Sequence, residues 1–229
     1  MDSDDIIQNY PKIYRRLDVP PNLKEHMIRV ASVASIICDN WKGERINKDD
    51  VIAAALIHDV GNLVKFDFAG RTSNELLKKD PRDIGYWKRK QKALIKKYKT
   101  NDAQVVILAM MKEIGASKKI VRLLELCTPT NIKKILKSHN YEAMMLSYCD
   151  NRVGPFRIVS LKERFADLEK RYIGRFYQGE VITKKSFGYL KPLVLIEKEL
   201  MRNARLSPEQ INDRSVGPYV LRYKRKLGK

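Results

Sequence analysis

The chain has 229 residues, 44% of them hydrophobic, enough to bury a core in one large domain or two small ones. Its 46 basic and 27 acidic residues leave a net charge of +19, a surplus that attracts phosphates, nucleic acid or an anionic surface. The longest apolar runs, VIAAALI at 51–57 and VVILAMM at 105–111, fall far short of the ~20 residues that cross a bilayer, which excludes a spanning helix.

The opening MDSDDIIQNY is acidic and has neither the basic flank nor the apolar centre of a secretion leader, so the expected compartment is the cytoplasm. Cys38, Cys127 and Cys149 are widely spaced and form no CxxC pair. They read as buried thiols rather than as a disulfide framework or a thiolate zinc site.

In chain order the punctuation is helical. After Pro20-Pro21, Asn22 with Glu25 three residues on predicts a helix start. The apolar positions Leu23, Met27, Val30, Ala31, Ala34, Ile37 and Cys38 then share one face. Asn47 with Asp50 predicts the next start, and the helix that follows is apolar through its middle until Gly61 interrupts it. Thr100-Asn101-Asp102 precedes VVILAMM, Gly115 closes that segment, and Ser117 opens another. Further helices are expected at 131–138 and 141–150. Beyond Gly154-Pro155, Ser160 with Glu163 and Ser207-Pro208 with Gln210 predict two more starts, separated by a mixed, extended stretch from Tyr177 to Lys191. The expected organisation is a helical domain over 1–155, with a helical lead-in over 1–21, and a mainly helical extension over 156–229 that packs on it and ends in a basic tail.

The chemistry-bearing residues are sparse. The chain has 3 histidines, His26, His58 and His139. His58 and Asp59 stand together at the end of the most apolar helix, and His26 flanks the core positions Met27 and Val30. A buried imidazole needs a hydrogen-bond partner and a buried carboxylate needs a cation, and a metal ion answers both demands. Asp150 in MLSYCDNRVGP repeats the pattern, because an apolar helical run delivers one carboxylate just before a Gly-Pro turn. Two nitrogens and two carboxylates are thereby expected to converge from three helices. Taken singly, each residue has a plainer reading as a satisfied core histidine, a helix-end residue or a turn-capping aspartate.

The order His26, adjacent His58-Asp59 and distant Asp150, in EHMIRVASVASIICDN, VIAAALIHDVGNL and the Asp150 segment, resembles the HD superfamily of metal-dependent phosphohydrolases over about 21–155. The resemblance implies an all-α HD-domain helical bundle in which His26, His58, Asp59 and Asp150 ligate one divalent ion. A mixed imidazole and carboxylate set suits Mn, Co, Fe, Ni or Zn. Such an ion activates a water against phosphorus, and Asp59 has a second oxygen available to hold that water. Many members of the family carry a charged residue three places after the Asp of the pair. Here that position is Asn62, whose amide orients a water but cannot take its proton. His139, in the polar KSHNYE, reads as a surface or capping residue.

Arg29, three residues after His26, is the first candidate to hold a phosphate by charge-assisted hydrogen bonds, and Lys65 and Arg152 are the others. The expected activity is hydrolysis of a phosphomonoester, most plausibly a nucleotide. WKRKQKALIKKYK at 87–99 carries seven basic residues and no acid, with Trp87, Leu94, Ile95 and Tyr98 on one apolar face. The segment 219–229 interleaves Tyr219 and Tyr223 with Arg222, Lys224, Arg225, Lys226 and Lys229. These segments favour two rivals, a phosphodiesterase or nuclease on RNA or DNA and an inactive nucleic-acid-binding relative. A solvated basic face is the plain alternative for either segment.

Overall fold

The computed structural model describes residues 1–68, 77, 80, 82–177 and 180–228. Among them are eleven α-helices: α1 (Ser3–Leu17), α2 (Pro21–Asn40), α3 (Lys48–Ile57), α4 (Ile84–Tyr98), α5 (Ala103–Ile114), α6 (Lys118–Leu126), α7 (Ile132–Lys137), α8 (Tyr141–Asn151), α9 (Leu161–Tyr172), α10 (Leu190–Ala204) and α11 (Asp213–Leu227). The described residues are all-α apart from one small antiparallel hairpin, Phe176–Tyr177 against Glu180–Val181, and an isolated antiparallel bridge between Val153 and Ile158. Among its described residues, the stretch expected to be extended supplies part of this hairpin, followed by a tight turn of helix over Lys184–Phe187.

Three helices make the centre. α3 packs on α1 and α2, and α8 packs on both α2 and α3. The sequence explains this burial: Ala53, Ala54 and Ala55 let neighbouring backbones approach closely, while Val51, Leu56 and Ile57 are fully enclosed. Each such large side chain gains roughly 1.5–3 kcal/mol from leaving water. Asn47 caps α3 by accepting from the Asp50 amide, as its spacing predicts. Tyr14 of α1 donates its hydroxyl to the Leu56 carbonyl at 2.6 Å, tying the lead-in helix to the end of α3.

Asp102 caps α5, and Gly115 ends it with φ +70°, the left-handed conformation that glycine adopts without strain. Ser117 caps α6, and Ser160 with Glu163 forms a complete capping box at α9. Two predicted starts are displaced. α2 begins at Pro21, whose fixed φ and missing N–H suit the first helical position, so Asn22 is not its cap. Ser207 and Gln210 close only the short turn Pro208–Gln210, and α11 begins after a second box formed by Asn212 and Ser215.

After α3 the chain turns through His58–Gly61 into a tight 3-10 turn, Asn62–Lys65. Gly61 packs against α5 so closely that an added Cβ would lie 2.9 Å from Ile107 Cγ1 and 3.0 Å from its backbone nitrogen. Gln91 of α4 holds the same turn from the other side, donating to the carbonyls of Leu63 at 3.0 Å, Val64 at 3.3 Å and Phe66 at 2.9 Å. Trp87 and Leu94 of α4 are buried, with Ile95 and Tyr98 partly buried beside them.

The later helices rest on the centre: α10 packs on α7 and α8, and α11 packs on α2. The expected basic tail is therefore a docked helix. Tyr223 is buried with its hydroxyl 2.8 Å from Ser35 Oγ, and Tyr219 donates to Asp39 Oδ2 at 2.7 Å. The Tyr223 ring is thereby committed to the core, while Tyr219 is partly exposed with its hydroxyl engaged. Lys229 of that segment lies outside the described residues.

Candidate metal centre

His26 sits on the second turn of α2, His58 caps the C-terminal end of α3, Asp59 begins the turn after it, and Asp150 lies on the last turn of α8. Because α2, α3 and α8 pack on one another, these four side chains meet. His26 Nε2 is 3.0 Å from Asp150 Oδ1 and 3.6 Å from Asp59 Oδ2. His58 Nε2 is 3.5 Å from Asp150 Oδ1 and 3.7 Å from Asp59 Oδ1. Ligand atoms of His26, His58 and Asp59 all lie within 4.8 Å of one another, the span that one ion bridges, and Asp150 joins them through the two imidazoles.

The tautomer of His58 is fixed. Its Nδ1 donates to the Ala55 carbonyl at 2.8 Å, which leaves Nε2 turned toward the carboxylates. That Nε2 is buried and has no hydrogen-bond partner among the described residues. An enclosed imidazole nitrogen with no partner is costly, and a cation is what it fits.

The electrostatics point the same way. Burial opposes positive charge on His58, but Asp59 and Asp150 outweigh it and raise the imidazole to about 9. Burial works to raise the Asp150 carboxyl, while the hydrogen bond with His26 and the nearby His58 hold it well below the usual carboxylate range. A divalent cation meets this demand for positive charge more fully than a proton. The donor set, two imidazoles and two carboxylates, therefore fits a borderline divalent metal. One side is open to solvent, because the Asp59 and Asp150 side chains are 21% and 31% exposed.

The remaining candidates are placed differently. Asn62 is buried at the start of the 3-10 turn, its backbone N–H donating to the Asp59 carbonyl at 3.0 Å. Arg29 pairs with Glu25 across one turn of α2 at 3.2 Å, and Lys65 is exposed. Arg152 corrects the expectation of a phosphate contact. Its guanidinium is 3% exposed and donates to the carbonyls of Val159 at 2.5 Å, Pro208 at 3.0 Å and Ile211 at 2.8 Å, and to the Tyr148 hydroxyl. The fold already uses its donors. His139 is exposed and pairs with Glu199 at 2.8 Å, the surface role its setting predicts.

Three neighbours of the centre carry no sequence motif. Ser147, one turn before Asp150, is buried. Burial pushes the Cys127 thiol up and the charge of Asp150 pushes it further, while Ser147 draws it back. Tyr189, at the N-terminal end of α10, is raised by burial and by Asp150 to about 12, while Arg164 draws it back. Only the one-turn spacing of Ser147 from Asp150 is visible in the sequence.

An all-helical bundle that gathers His26, His58, Asp59 and Asp150 at one solvent-facing point has the architecture of the HD phosphohydrolases. The HD domain family model matches residues 23–175, and the chain belongs to that family of metal-dependent phosphoester hydrolases. HD domains bind divalent metals, and the His–His–Asp group described here fits one. The chain is 24% identical to the human 5'-deoxynucleotidase HDDC2 over 167 residues, 69% of this chain and 75% of the human one. The bovine 5'-deoxynucleotidase HDDC2 gives the same 24% identity and coverage of 69% and 75%. The mouse 5'-deoxynucleotidase HDDC2 is 35% identical over a shorter stretch of 57 residues, 25% of this chain and 27% of the mouse one. No solved structure matches the chain significantly. No helix among the described residues is long and apolar enough to cross a membrane.

Proposed function

We propose that the protein is a nucleotide phosphomonoesterase that releases phosphate from a nucleoside monophosphate, with one Mn, Co, Fe, Ni or Zn ion held by His26, His58, Asp59 and Asp150. The observation that carries this reading is the convergence of the four side chains around the buried, unpartnered Nε2 of His58. The similarity to 5'-deoxynucleotidases supports the choice of substrate class. The buried Cys38 and Cys149 and the partly buried Cys127, all unpaired, suit a reducing cytoplasm.

When bound, the ion supplies Lewis acidity toward a phosphoryl oxygen and lowers the pKa of a water. His58 is kept aligned by the hydrogen bond from its Nδ1 to the Ala55 carbonyl. Asp59 has a second carboxylate oxygen with which to orient the attacking water and accept its proton. Asn62, held one tight turn beyond Asp59, orients the water through its amide and leaves proton acceptance to the carboxylate. Arg29 and Lys65 supply cationic charge at the rim. In this reading residues 1–155 form the HD domain, although its family match runs on to residue 175, and 156–229 form an extension that packs on it through α10 and α11.

A substrate panel tests the proposal: nucleoside monophosphates, a nucleoside diphosphate, a generic phosphomonoester and an oligonucleotide, each with several divalent metals. The expected result is phosphate release from a monophosphate with one or more of the metals, abolished in a folded Asp59→Ala variant. Cleavage of the oligonucleotide alone replaces the phosphomonoesterase with a phosphodiesterase, and activity retained in Asp59→Ala rejects the metal-centred account.

A further inference from the structure

The turn that follows Asp59 is short and enclosed: Asn62, Leu63 and Val64 are buried, and it packs on both α4 and α5. Backbone hydrogen bonds run through it from Asn62 to the Asp59 carbonyl at 3.0 Å, from Val64 to Gly61 at 3.3 Å and from Phe66 to Leu63 at 3.1 Å. They make one continuous unit of the segment from Asp59 to Phe66. The last carbonyls of so short a turn have no partner within it, and enclosing them without one is costly.

Gln91 supplies the partner. It stands two turns into α4 on the side of the buried Trp87 and Leu94, four residues before it and three after, while Lys88, Arg89, Lys92 and Lys96 face solvent. Its Nε2 donates to the carbonyls of Leu63 at 3.0 Å, Val64 at 3.3 Å and Phe66 at 2.9 Å. Three acceptors around one nitrogen fix the orientation of the amide, because its oxygen can make none of these bonds. The start of the segment is held by α3, and its middle by the close approach of Gly61 to Ile107. Gln91 holds the far end.

We infer that Gln91 is a positioning residue for hydrolysis: by clamping the far end of the turn it keeps the second carboxylate oxygen of Asp59 and the amide of Asn62 aimed at the attacking water. This rests on the phosphohydrolase reading above and deepens it, since it gives α4 a part in the reaction through one uncharged side chain in a basic helix. Misplacing a group that orients a reactant by about 1 Å can cost on the order of 100-fold in rate, so slack in the turn is felt in kcat. His26, His58 and Asp150 are carried by α2, α3 and α8 and keep their places when the turn loosens.

The test compares the full chain as wild type, Gln91→Met and Gln91→Lys. All three side chains have unbranched stems and similar helix propensities, so α4 is equally favoured and the donors are what differ. Leu94→Val is the control, because it loosens the packing of α4 and leaves the carbonyls of the turn bonded. Turnover of a nucleoside monophosphate with manganese is measured well below each melting temperature, beside calorimetric manganese titration and amide hydrogen exchange of the metal-free chain. Gln91→Met is expected to lower kcat on the order of tenfold or more, with KM and manganese affinity close to wild type. Exchange is expected to quicken at the amides of Asn62, Val64 and Phe66 relative to those of α3. Gln91→Lys is expected to recover part of kcat, and Leu94→Val to melt earlier with kcat unchanged.

A merely structural glutamine gives a different pattern: Gln91→Met melts earlier yet turns over like wild type. That result, unchanged exchange at the turn, or kcat and manganese affinity falling together overturns the inference. If Gln91→Met fails to fold, Gln91→Asn decides, its amide being one methylene short of the carbonyls: lowered kcat with KM kept supports the clamp, and wild-type kcat sinks it. A wild-type protein that hydrolyses no monophosphate with any metal would instead remove the phosphohydrolase reading, and this inference with it.

Discussion

His26 Nε2 and Asp150 Oδ1 lie 3.0 Å apart although 124 residues separate them in the chain. That contact exists because α2 and α8 both bury their apolar faces against α3, so the core itself assembles the donor set. Replacing Asp150 with alanine removes a proposed ligand and leaves the hydrophobic packing of α8 intact. The expected outcome is a folded protein whose metal affinity falls beyond the ~10–100-fold typical of losing a residue that merely supports a ligand. Calorimetric metal titration beside circular dichroism checks both halves.

Arg152 is a keystone of the fold. It ties the end of α8 to Val159 and to the Pro208–Ile211 turn, and it faces Glu197 at 3.7 Å. Arg152→Ala leaves buried carbonyls unpaired and is expected to cost about 3–5 kcal/mol, with Arg152→Lys recovering part of it. Urea unfolding of the three proteins measures this.

Gly61 permits the close approach of the turn after Asp59 to α5. Gly61→Ala forces a Cβ against the Ile107 backbone, where little can yield, at an expected cost of about 1–3 kcal/mol. Because the same turn positions Asp59 and Asn62, kcat is expected to fall by more than the stability loss alone explains. Activity assayed well below the melting temperature separates the two effects.

Acid stability has a local source at the junction of α1 and α4. Burial works to raise the Asp18 carboxyl, but hydrogen bonds from Tyr86 and Arg82, with Lys90 nearby, leave it lowered. A hydrogen bond from Arg82 lowers Asp80 as well. Carboxylates depressed in the folded state bind fewer protons there than in the unfolded chain, so they stabilise above the ordinary carboxylate range. That stabilisation is lost as pH falls through the folded values, below about 4. Asp18→Asn is expected to flatten the stability–pH curve in that acid window. Unfolding free energies of variant and wild type, measured from neutral pH down into the window, show whether it does.

The sequence shows the metal centre better than its surroundings, for physical reasons. His58 and Asp59 are conspicuous because an otherwise apolar helix ends in two polar groups that need a partner. Arg152 misleads because residues two apart on a helix do not share a face: Asp150 turns to the histidines while Arg152 turns to the later helices. The tail carried a readable signal in Val216, Tyr219, Val220, Tyr223 and Leu227, which follow the spacing of one helical face. Its basic residues mask that face in the sequence. Tyr189 has no such signature, since its relation to Asp150 arises only when α10 folds back onto α8.

The most direct measurement is anomalous diffraction from a crystal grown with manganese. The account predicts one strong peak, coordinated at roughly 2.0–2.3 Å by His26 Nε2, His58 Nε2 and oxygens of Asp59 and Asp150. A peak held by other residues, or a metal-saturated protein with no peak among these four, would contradict it.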